Sequence, residues 1–287
     1  MNRDNPPIFS VVMPVFNKAP HVERAISSVL SQSFTNLELL IVDDASTDES
    51  SSRIHQFSDA RLRLFKRLAP GAGGYAARNL GVQESRGEWV AFLDADDEWL
   101  PGHLEAMEGL TKRFPYVNLM ASGWRNKFPD GSVTNNTYFC ENRSKGPHMI
   151  GADEYLLSCL NNNNPIHTNV LCFRKTAGFS DGLFPEKSGA LRGGDLYAWM
   201  RLLGKNGHLA WSNHLGAIYH RDSVNMVTKS APSGPELFGK HQYSKLSVDS
   251  VSSTLLKRYM NKKLLEGWRG NIARRVLPRF HGHTHKG

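Results

Sequence analysis

The first hundred residues alternate short apolar runs with segments whose apolar positions follow helical spacing. Ile8–Phe16 is apolar, rich in β-branched residues and closed by the turn-forming Asn17, which predicts a buried strand. In His21–Gln32 the apolar positions lie three and four residues apart, which predicts a helix. The same reasoning predicts strands at Leu37–Val42, Leu62–Phe65 and Trp89–Leu93, and helices at Ser46–Ser52 and Ala76–Glu84. This alternation predicts an α/β fold with a mostly parallel central sheet flanked by helices.

The second half of the chain is less regular. Residues 124–150 are rich in Asn, Gly, Pro and Ser, and their pattern predicts no firm element. Beyond them, the pattern predicts helices at Gly151–Leu160 and Leu196–Gly204 and a strand at Asn169–Phe173.

Composition narrows the class of protein. The 287 residues are 40% hydrophobic and 22% charged, which is enough apolar material for a full core and excludes wholesale disorder. No run approaches the roughly 18 apolar residues of a membrane-spanning helix, and the N-terminus lacks the apolar core of a signal peptide. Cys140, Cys159 and Cys172 are widely spaced and form no CxxC pair. We therefore expect a cytoplasmic protein without a disulfide or zinc framework.

Polar side chains follow three of the predicted strands. Asn17, the Asp43–Asp44 pair and the run Asp94–Asp97 stand where strands end, and ligands gather at the carboxyl ends of parallel strands. The last run, extended by Glu98, puts four carboxylates into five positions. A solvated turn that leads into a helix N-terminus is one explanation. The other is a site for Mg²⁺ or Mn²⁺, in which carboxylates share the ion with the phosphates of a nucleotide diphosphate.

Five segments in order resemble the family 2 glycosyltransferases, which have the GT-A nucleotide-sugar fold. They are VVMPVFN at 11–17, LLIVDDASTDES at 39–50, GGYAARNLGV at 73–82, GEWVAFLDADDEWLPGHL at 87–104 and RGGDLYAWMRLLGKNG at 192–207. The resemblance spans roughly residues 8–225. It implies a catalytic domain over 1–230, with a nucleotide-binding half to about residue 100 and an acceptor half from about 101.

The resemblance also implies roles for individual residues in donor binding. Pro14, Phe16 and Asn17 would line the pocket for the base and ribose, and Asp44 would accept the imide N–H of uracil. Arg78 would contact the diphosphate or pair with an active-site acid. A strand-edge or core role for Pro14 and Phe16, an Asx turn at Asp44 and a surface salt bridge at Arg78 are the structural alternatives.

For the metal and the chemistry, the resemblance points to four residues. Asp94 would bind the ribose or a metal-bound water, and Asp96 would ligate Mn²⁺ or Mg²⁺ directly. His220 would be an additional ligand, with a structural histidine as the alternative. Asp195 would be the general base in a single displacement that inverts the anomeric configuration, with helix capping as the alternative. The chain departs from the family at Gly71, where Asn is common, and at Gly194, where an acid is common.

These features lead to an expected activity with two rivals. We expect an inverting, metal-dependent transfer of a sugar from a nucleotide diphosphate donor, most simply a UDP-sugar, to a hydroxyl of a saccharide or lipid-linked acceptor in surface polysaccharide synthesis. A sugar nucleotidyltransferase would open with a Gly-rich loop bearing Arg or Lys, which MPVFNKAPH lacks. The other rival is a catalytically silent GT-A scaffold that binds saccharide or membrane.

The positive charge is concentrated at the C-terminus. The whole chain carries a formal charge of +8, but residues 240–287 alone hold 11 Lys and Arg against two acids. Residues 231–287 are therefore predicted to be a basic helical extension. The apolar positions that recur every fourth residue in it are Leu256, Met260, Leu264, Trp268, Ile272 and Val276. Three readings stay open: packing on the catalytic domain, peripheral attachment to an anionic membrane face, and nucleic-acid binding, which is not expected because no recognised motif accompanies the charge.

Overall fold

The parallel part of the sheet forms the N-terminal side of the molecule. In a computed structural model that describes residues 6–175, 182–188, 191–224, 254–262 and 265, four strands pair in parallel in the order β3-β2-β1-β4. They are β1 (Phe9–Val15), β2 (Leu37–Asp43), β3 (Leu62–Lys66) and β4 (Trp89–Phe92). All four lie where the apolar runs predict strands. Because the strands are parallel, their carboxyl ends open on one edge of the sheet.

The sheet changes character beyond β4. The remaining strands are β5 (Glu98–Trp99), β6 (Leu119–Lys127), β7 (Val133–Asn135), β8 (His148–Gly151), β9 (Leu171–Arg174) and β10 (His208–His220). Strand β9 lies antiparallel between β4 and β6, whereas β6 and β10 are parallel. Strands β5 and β8 add to β10 in antiparallel fashion. The α/β architecture with flanking helices is as predicted, and its parallel character is confined to the first half and the β6–β10 pair.

Seven helices are described outside the C-terminal segment: α1 (Val22–Leu30), α2 (Ser50–Ile54), α3 (Tyr75–Glu84), α4 (His103–Arg113), α5 (Thr137–Asn142), α6 (Ala152–Leu160) and α7 (Gly194–Asn206). Adjacent residues of β1 pack in two different hydrophobic clusters, because successive side chains of a strand point to opposite faces of the sheet. Val12 packs with the cluster that includes α7, and Val11 packs with the one that includes α1 and α4. Helix α3 lies so close to β1 that a Cβ on Gly81 would stand 2.3 Å from a methyl of Val12.

The prediction of no firm element in residues 124–150 was wrong. The end of β6, then β7, α5 and β8 lie there. Partners in space order this segment: Asn136 donates its main-chain N–H to the carbonyl of Trp124 and accepts the Trp124 N–H on its side chain. Strand β8 pairs with β10, about 60 residues away in the chain. The amino-acid composition of residues 124–150 does not indicate pairing with a strand so distant in the chain.

Part of the basic extension packs on the body. Residues 254–262 are helical, and Tyr259 is buried in the same hydrophobic cluster as α7. The Lys262 ammonium lies 2.6 Å from the carbonyl oxygen of Leu160 and 2.7 Å from the side-chain oxygen of Asn162, at the end of α6. This segment agrees with the packing alternative for the tail. Most of 231–287 falls outside the described residues, including Leu264, Trp268, Ile272 and Val276 of the apolar pattern.

Candidate active site

A cleft of about 470 Å³ opens at the carboxyl ends of β1, β2 and β4. Its wall brings together seven of the predicted site residues, although they are spread over 180 positions of the chain: Pro14, Phe16, Asp44, Arg78, Asp94, Asp96 and Asp195. Two other predicted residues, Asn17 and His220, are not among the described residues that line it.

At one end of the cleft, Asp44 holds the loop after β3. Asp44 is almost fully buried, and its carboxylate pairs with the Arg67 guanidinium and accepts the N–H of Gly71 at 3.0 Å. A Cβ on residue 71 would lie 2.9 Å from an Arg67 nitrogen. Glycine at position 71, where the family commonly has Asn, therefore leaves room for the Arg67 side chain.

Asn17 fixes the turn next to this pocket. It has a left-handed backbone, with φ of 52°, which Asn tolerates better than most residues. Its side-chain oxygen accepts the N–H groups of Thr47 at 2.8 Å and Asp48 at 3.3 Å. In this structure the Asn17 side-chain oxygen thus ties the end of β1 to the acidic turn after β2.

Arg78 is a buried cation in the middle of the site. Its guanidinium donates to Asp94 at 2.5 Å and to the carbonyl of Gly73 at 2.9 Å. A carboxylate oxygen of Asp195 lies 4.0 Å from it. Of the two expectations for Arg78, the pairing with active-site acids is the one that the geometry displays.

Asp94 and Asp96 present oxygen ligands to the cleft from the turn after β4. Each has one carboxylate oxygen engaged by a cation, Arg78 for Asp94 and Lys18 for Asp96, the latter at 2.6 Å. Among the described residues, no three metal-ligating side chains gather at one point. Two carboxylates in an open cleft fit a divalent ion that completes its coordination with a substrate's phosphates and water.

Beneath these acids lies a buried polar layer. Asp97 is fully buried and accepts the Asn169 amide N–H at 2.6 Å and the main-chain N–H of His220 at 2.7 Å. Burial, together with the charges of Asp96 and Asp94, raises the pKa of Asp97 well above its usual value. The other side-chain atom of Asn169, its oxygen, accepts the N–H of Asp94 at 2.9 Å. Asp97 therefore supports the turn from below.

His220 belongs to this buried layer. Its Nε2 lies 3.0 Å from a carboxylate oxygen of Glu98, and the residue is 1% exposed. His220 thus contacts Glu98 and is not among the described residues that line the cleft, which is the arrangement of the structural alternative.

Asp195 enters the cleft from the first turn of α7. The residue that caps this helix is Gly193, with φ of 91°, so Asp195 is not its N-cap. One carboxylate oxygen is enclosed without a hydrogen-bond partner, while the side chain as a whole is 42% exposed to the cleft. Enclosure raises the pKa of Asp195, and the Arg78 charge opposes that rise. A carboxylate with a raised pKa is a stronger base.

Gly194 lets α7 begin against Tyr75. Its N–H donates to the Tyr75 hydroxyl at 2.9 Å, and a Cβ there would stand 2.4 Å from the tyrosine ring. The ring of Tyr75 thus occupies the space that the family's usual acid at this position would need.

Sequence reasoning gave no specific role to several residues of the cleft, among them Lys18, His167 and Tyr219. His167 lies between the rings of Trp124, at 5.2 Å, and Tyr219, at 4.8 Å. Its Nδ1 accepts the N–H of Asn169, and burial lowers its pKa to about 4, so the ring is neutral near pH 7. No motif marks these residues, since only the folded sheet brings β10 and the turn before β9 to the cleft.

Known proteins are similar to this chain in sequence and in fold. A family model described as "Glycosyl transferase family 2" matches residues 10–175. The chain is 40% identical over 99 residues to "UDP-Glc:alpha-D-GlcNAc-diphosphoundecaprenol beta-1,3-glucosyltransferase WfgD" of Escherichia coli, a match over 34% of this chain and 38% of that protein. The fold resembles S. aureus TarS 1–349 in complex with UDP-GlcNAc, with a TM-score of 0.68 and 16% identity over 92% of this chain and 72% of that one. It also resembles a mannosyltransferase of Pyrobaculum calidifontis in complex with GDP-Man and Mn²⁺, with a TM-score of 0.62 and 18% identity over 96% and 77%.

Proposed function

The chain belongs to glycosyl transferase family 2, and we propose that it is an inverting, metal-dependent glycosyltransferase. It would transfer a sugar from a UDP-sugar to a hydroxyl of a saccharide or lipid-linked acceptor in surface polysaccharide synthesis. The observation that carries this proposal is the convergence of Asp94, Asp96 and Asp195 in the cleft that also contains Asp44. These acids come from three separate parts of the sequence, which a merely solvated acidic turn does not explain.

The carboxylates of Asp94 and Asp96 would hold the metal. When bound, Mn²⁺ or Mg²⁺ supplies Lewis-acid stabilisation of the negative charge that grows on the diphosphate. Arg78, 2.5 Å from Asp94, holds that carboxylate in position within the cleft. The Mn²⁺ present in the mannosyltransferase complex supports a divalent ion in this fold.

Asp195 would take the proton of the acceptor hydroxyl. The freed oxygen attacks the anomeric carbon as the bond to the diphosphate breaks on the opposite face, so the configuration inverts. The raised pKa of Asp195 and its exposure to the cleft suit this role. A positioned general base contributes about 10²–10⁴-fold to a rate.

Substrate class follows from chemistry and from relatives. Asp44 lines the cleft, and its carboxylate would accept the imide N–H of uracil through a lone pair that Arg67 and Gly71 do not use. UDP donors appear in the name of the E. coli relative and in the TarS complex, and the former also names a diphosphoundecaprenol acceptor. The matched segment spans 38% of the E. coli protein, so its substrates enter here as support for a proposal.

The decisive experiment is a panel of UDP- and GDP-sugars tested with the full chain for donor hydrolysis in Mn²⁺ and in EDTA. Metal-dependent hydrolysis of a UDP-sugar is expected. Asp195→Asn should abolish transfer and keep UDP affinity, whereas Asp96→Ala should remove metal-dependent UDP binding in calorimetry. Absence of hydrolysis with every donor, despite nucleotide binding, would favour the catalytically silent scaffold. Formation of nucleotide sugar from a sugar phosphate would favour the nucleotidyltransferase.

Attachment to an anionic membrane would bring the enzyme to a lipid-linked acceptor. Lys257 and Arg258 are exposed on the helix whose other side packs on the body. Basic residues near an anionic surface contribute roughly 1 kcal/mol each. Vesicles containing phosphatidylglycerol should bind the wild type in a salt-sensitive way and bind the Lys257→Glu/Arg258→Glu variant more weakly. Equal binding of both proteins would leave this helix with a packing role alone.

A further inference from the structure

Lys18 is a cation in the cleft to which no role has been assigned. Its ammonium lies 2.6 Å from a carboxylate oxygen of Asp96 and 2.7 Å from the carbonyl oxygen of Val224. Both side chains of the ion pair are largely buried, at 13% and 12% exposure. Lys18 therefore joins the turn after β1 to the acidic turn after β4 and to the chain just beyond β10.

This position conflicts with a divalent ion on the same carboxylate. Two charges of like sign a few ångströms apart repel each other strongly in a partly buried site, and a divalent ion doubles that repulsion. The nearby Arg24 guanidinium donates to the main-chain oxygen of Asp96, so within the part of the chain that the structure describes Lys18 is the cation that pairs with the Asp96 carboxylate. A divalent ion that takes the Asp96 oxygen held by Lys18 must consequently displace the ammonium, and an ion on the other oxygen is repelled by it.

The displaced ammonium needs a new anionic partner. Lys18 lines the same cleft as Arg78, Asp94 and Asp96, where the donor diphosphate would lie. We propose, on the basis of the proposed function, that Lys18 exchanges Asp96 for the donor diphosphate when metal and nucleotide bind together. Lys18 then opposes metal binding in the absence of nucleotide and stabilises the diphosphate in its presence, which couples the two ligands.

The test measures binding, so that it does not depend on turnover. Mn²⁺ affinity is measured by the electron paramagnetic resonance signal of free Mn²⁺ without nucleotide, and UDP affinity by calorimetry in saturating Mn²⁺, for the wild type and for Lys18→Met. The variant should bind Mn²⁺ alone about tenfold more tightly and UDP about tenfold more weakly, the factor that one hydrogen bond between charged groups commonly carries. A structural role for Lys18 predicts instead that both affinities fall.

Two further variants keep the result interpretable. Lys18→Gln removes the charge but retains a donor for the Val224 carbonyl, so it should show the same two changes in affinity. It replaces Lys18→Met in the test if that variant folds poorly. Lys112→Met removes an exposed lysine that pairs with Glu108 on the surface of α4 and should change neither affinity. Unchanged or weaker Mn²⁺ binding in both Lys18 variants would overturn the inference and leave the proposed function intact. Failure of the wild type to bind Mn²⁺ and UDP would refute the proposed function itself.

Discussion

Replacing Gly194 by alanine tests whether the start of α7 sets the position of Asp195. The added Cβ would meet three Tyr75 ring atoms at 2.4, 2.5 and 2.8 Å, whereas ordinary contacts lie at 3.4–4 Å. Relief of this overlap requires the ring or the helix to move by about 1 Å, the distance by which these contacts are too short.

The tyrosine ring has little freedom to move. Tyr75 is 2% exposed and stacks on Phe184 with ring centres 6.2 Å apart and planes within 6°. The displacement therefore falls on the first turn of α7 and carries Asp195 with it. Overpacking commonly costs about 1–3 kcal/mol of stability, and a 1 Å misplacement of a reacting group costs roughly 10² in rate. We therefore expect Gly194→Ala to lose about 1–3 kcal/mol of stability and roughly 10² in the rate of transfer.

Urea unfolding and steady-state transfer measure the two effects. Gly109→Ala in α4 is the matched control, because its new Cβ would meet nothing within 4 Å beyond the adjoining residues and backbone of its own helix. Alanine there should be neutral or stabilising by about 0.5–1 kcal/mol. Tyr75→Phe separates the hydroxyl from the ring and should cost about 1 kcal/mol for the lost Gly194 hydrogen bond. Wild-type stability and turnover in Gly194→Ala would refute the prediction that Tyr75 positions the turn that carries Asp195.

Three other predictions concern charge and packing. Arg78→Met removes the cation that lowers the pKa of Asp195. The acid limb of the kcat/KM profile should then move to higher pH, because a general base acts only above its pKa. An unmoved limb would exclude an effect of the Arg78 charge on Asp195. Gly81→Ala should lower the free energy of unfolding by about 1–3 kcal/mol in urea, because its Cβ would overlap Val12 on β1. Tyr259→Ala should cost about 3 kcal/mol or more in the same assay, and a smaller loss would argue against docking of the C-terminal helix.

Much of the N-terminal fold is predictable because its strands are buried on both faces. Continuous apolar runs mark β1, β2 and β4. A turn with Asn17 follows β1, and turns rich in acids follow β2 and β4. The positions of Asp44, Asp94 and Asp96 in one cleft follow from parallel pairing alone. Residues 124–150 have no such signal, since β8 depends on β10 for its partner.

Side-chain direction is the part of the site that sequence could not supply. Asn17 and His220 stand next to the cleft in the chain, but each turns to a partner elsewhere, Thr47 and Glu98 respectively. Lys18 carries no motif, and its partner Asp96 lies 78 residues away. Only the packed sheet decides which of these groups faces the ligand.

Strand β9, from the second half of the chain, pairs with β4 of the first half and with β6. The two halves therefore share one sheet and cannot be exchanged as independent units. One continuous sheet crosses the boundary near residue 100, and each hydrophobic cluster has members on both sides of it: Val12 and Trp199 belong to one, and Phe9 and Ala210 to the other. A chimera that exchanged the second half as a cassette would leave unmatched surfaces on both faces of the sheet. On the proposed function, the turns that line the cleft, such as residues 167–168 and 191–193, are therefore the segments to graft when acceptor preference is redesigned, with the strands left in place.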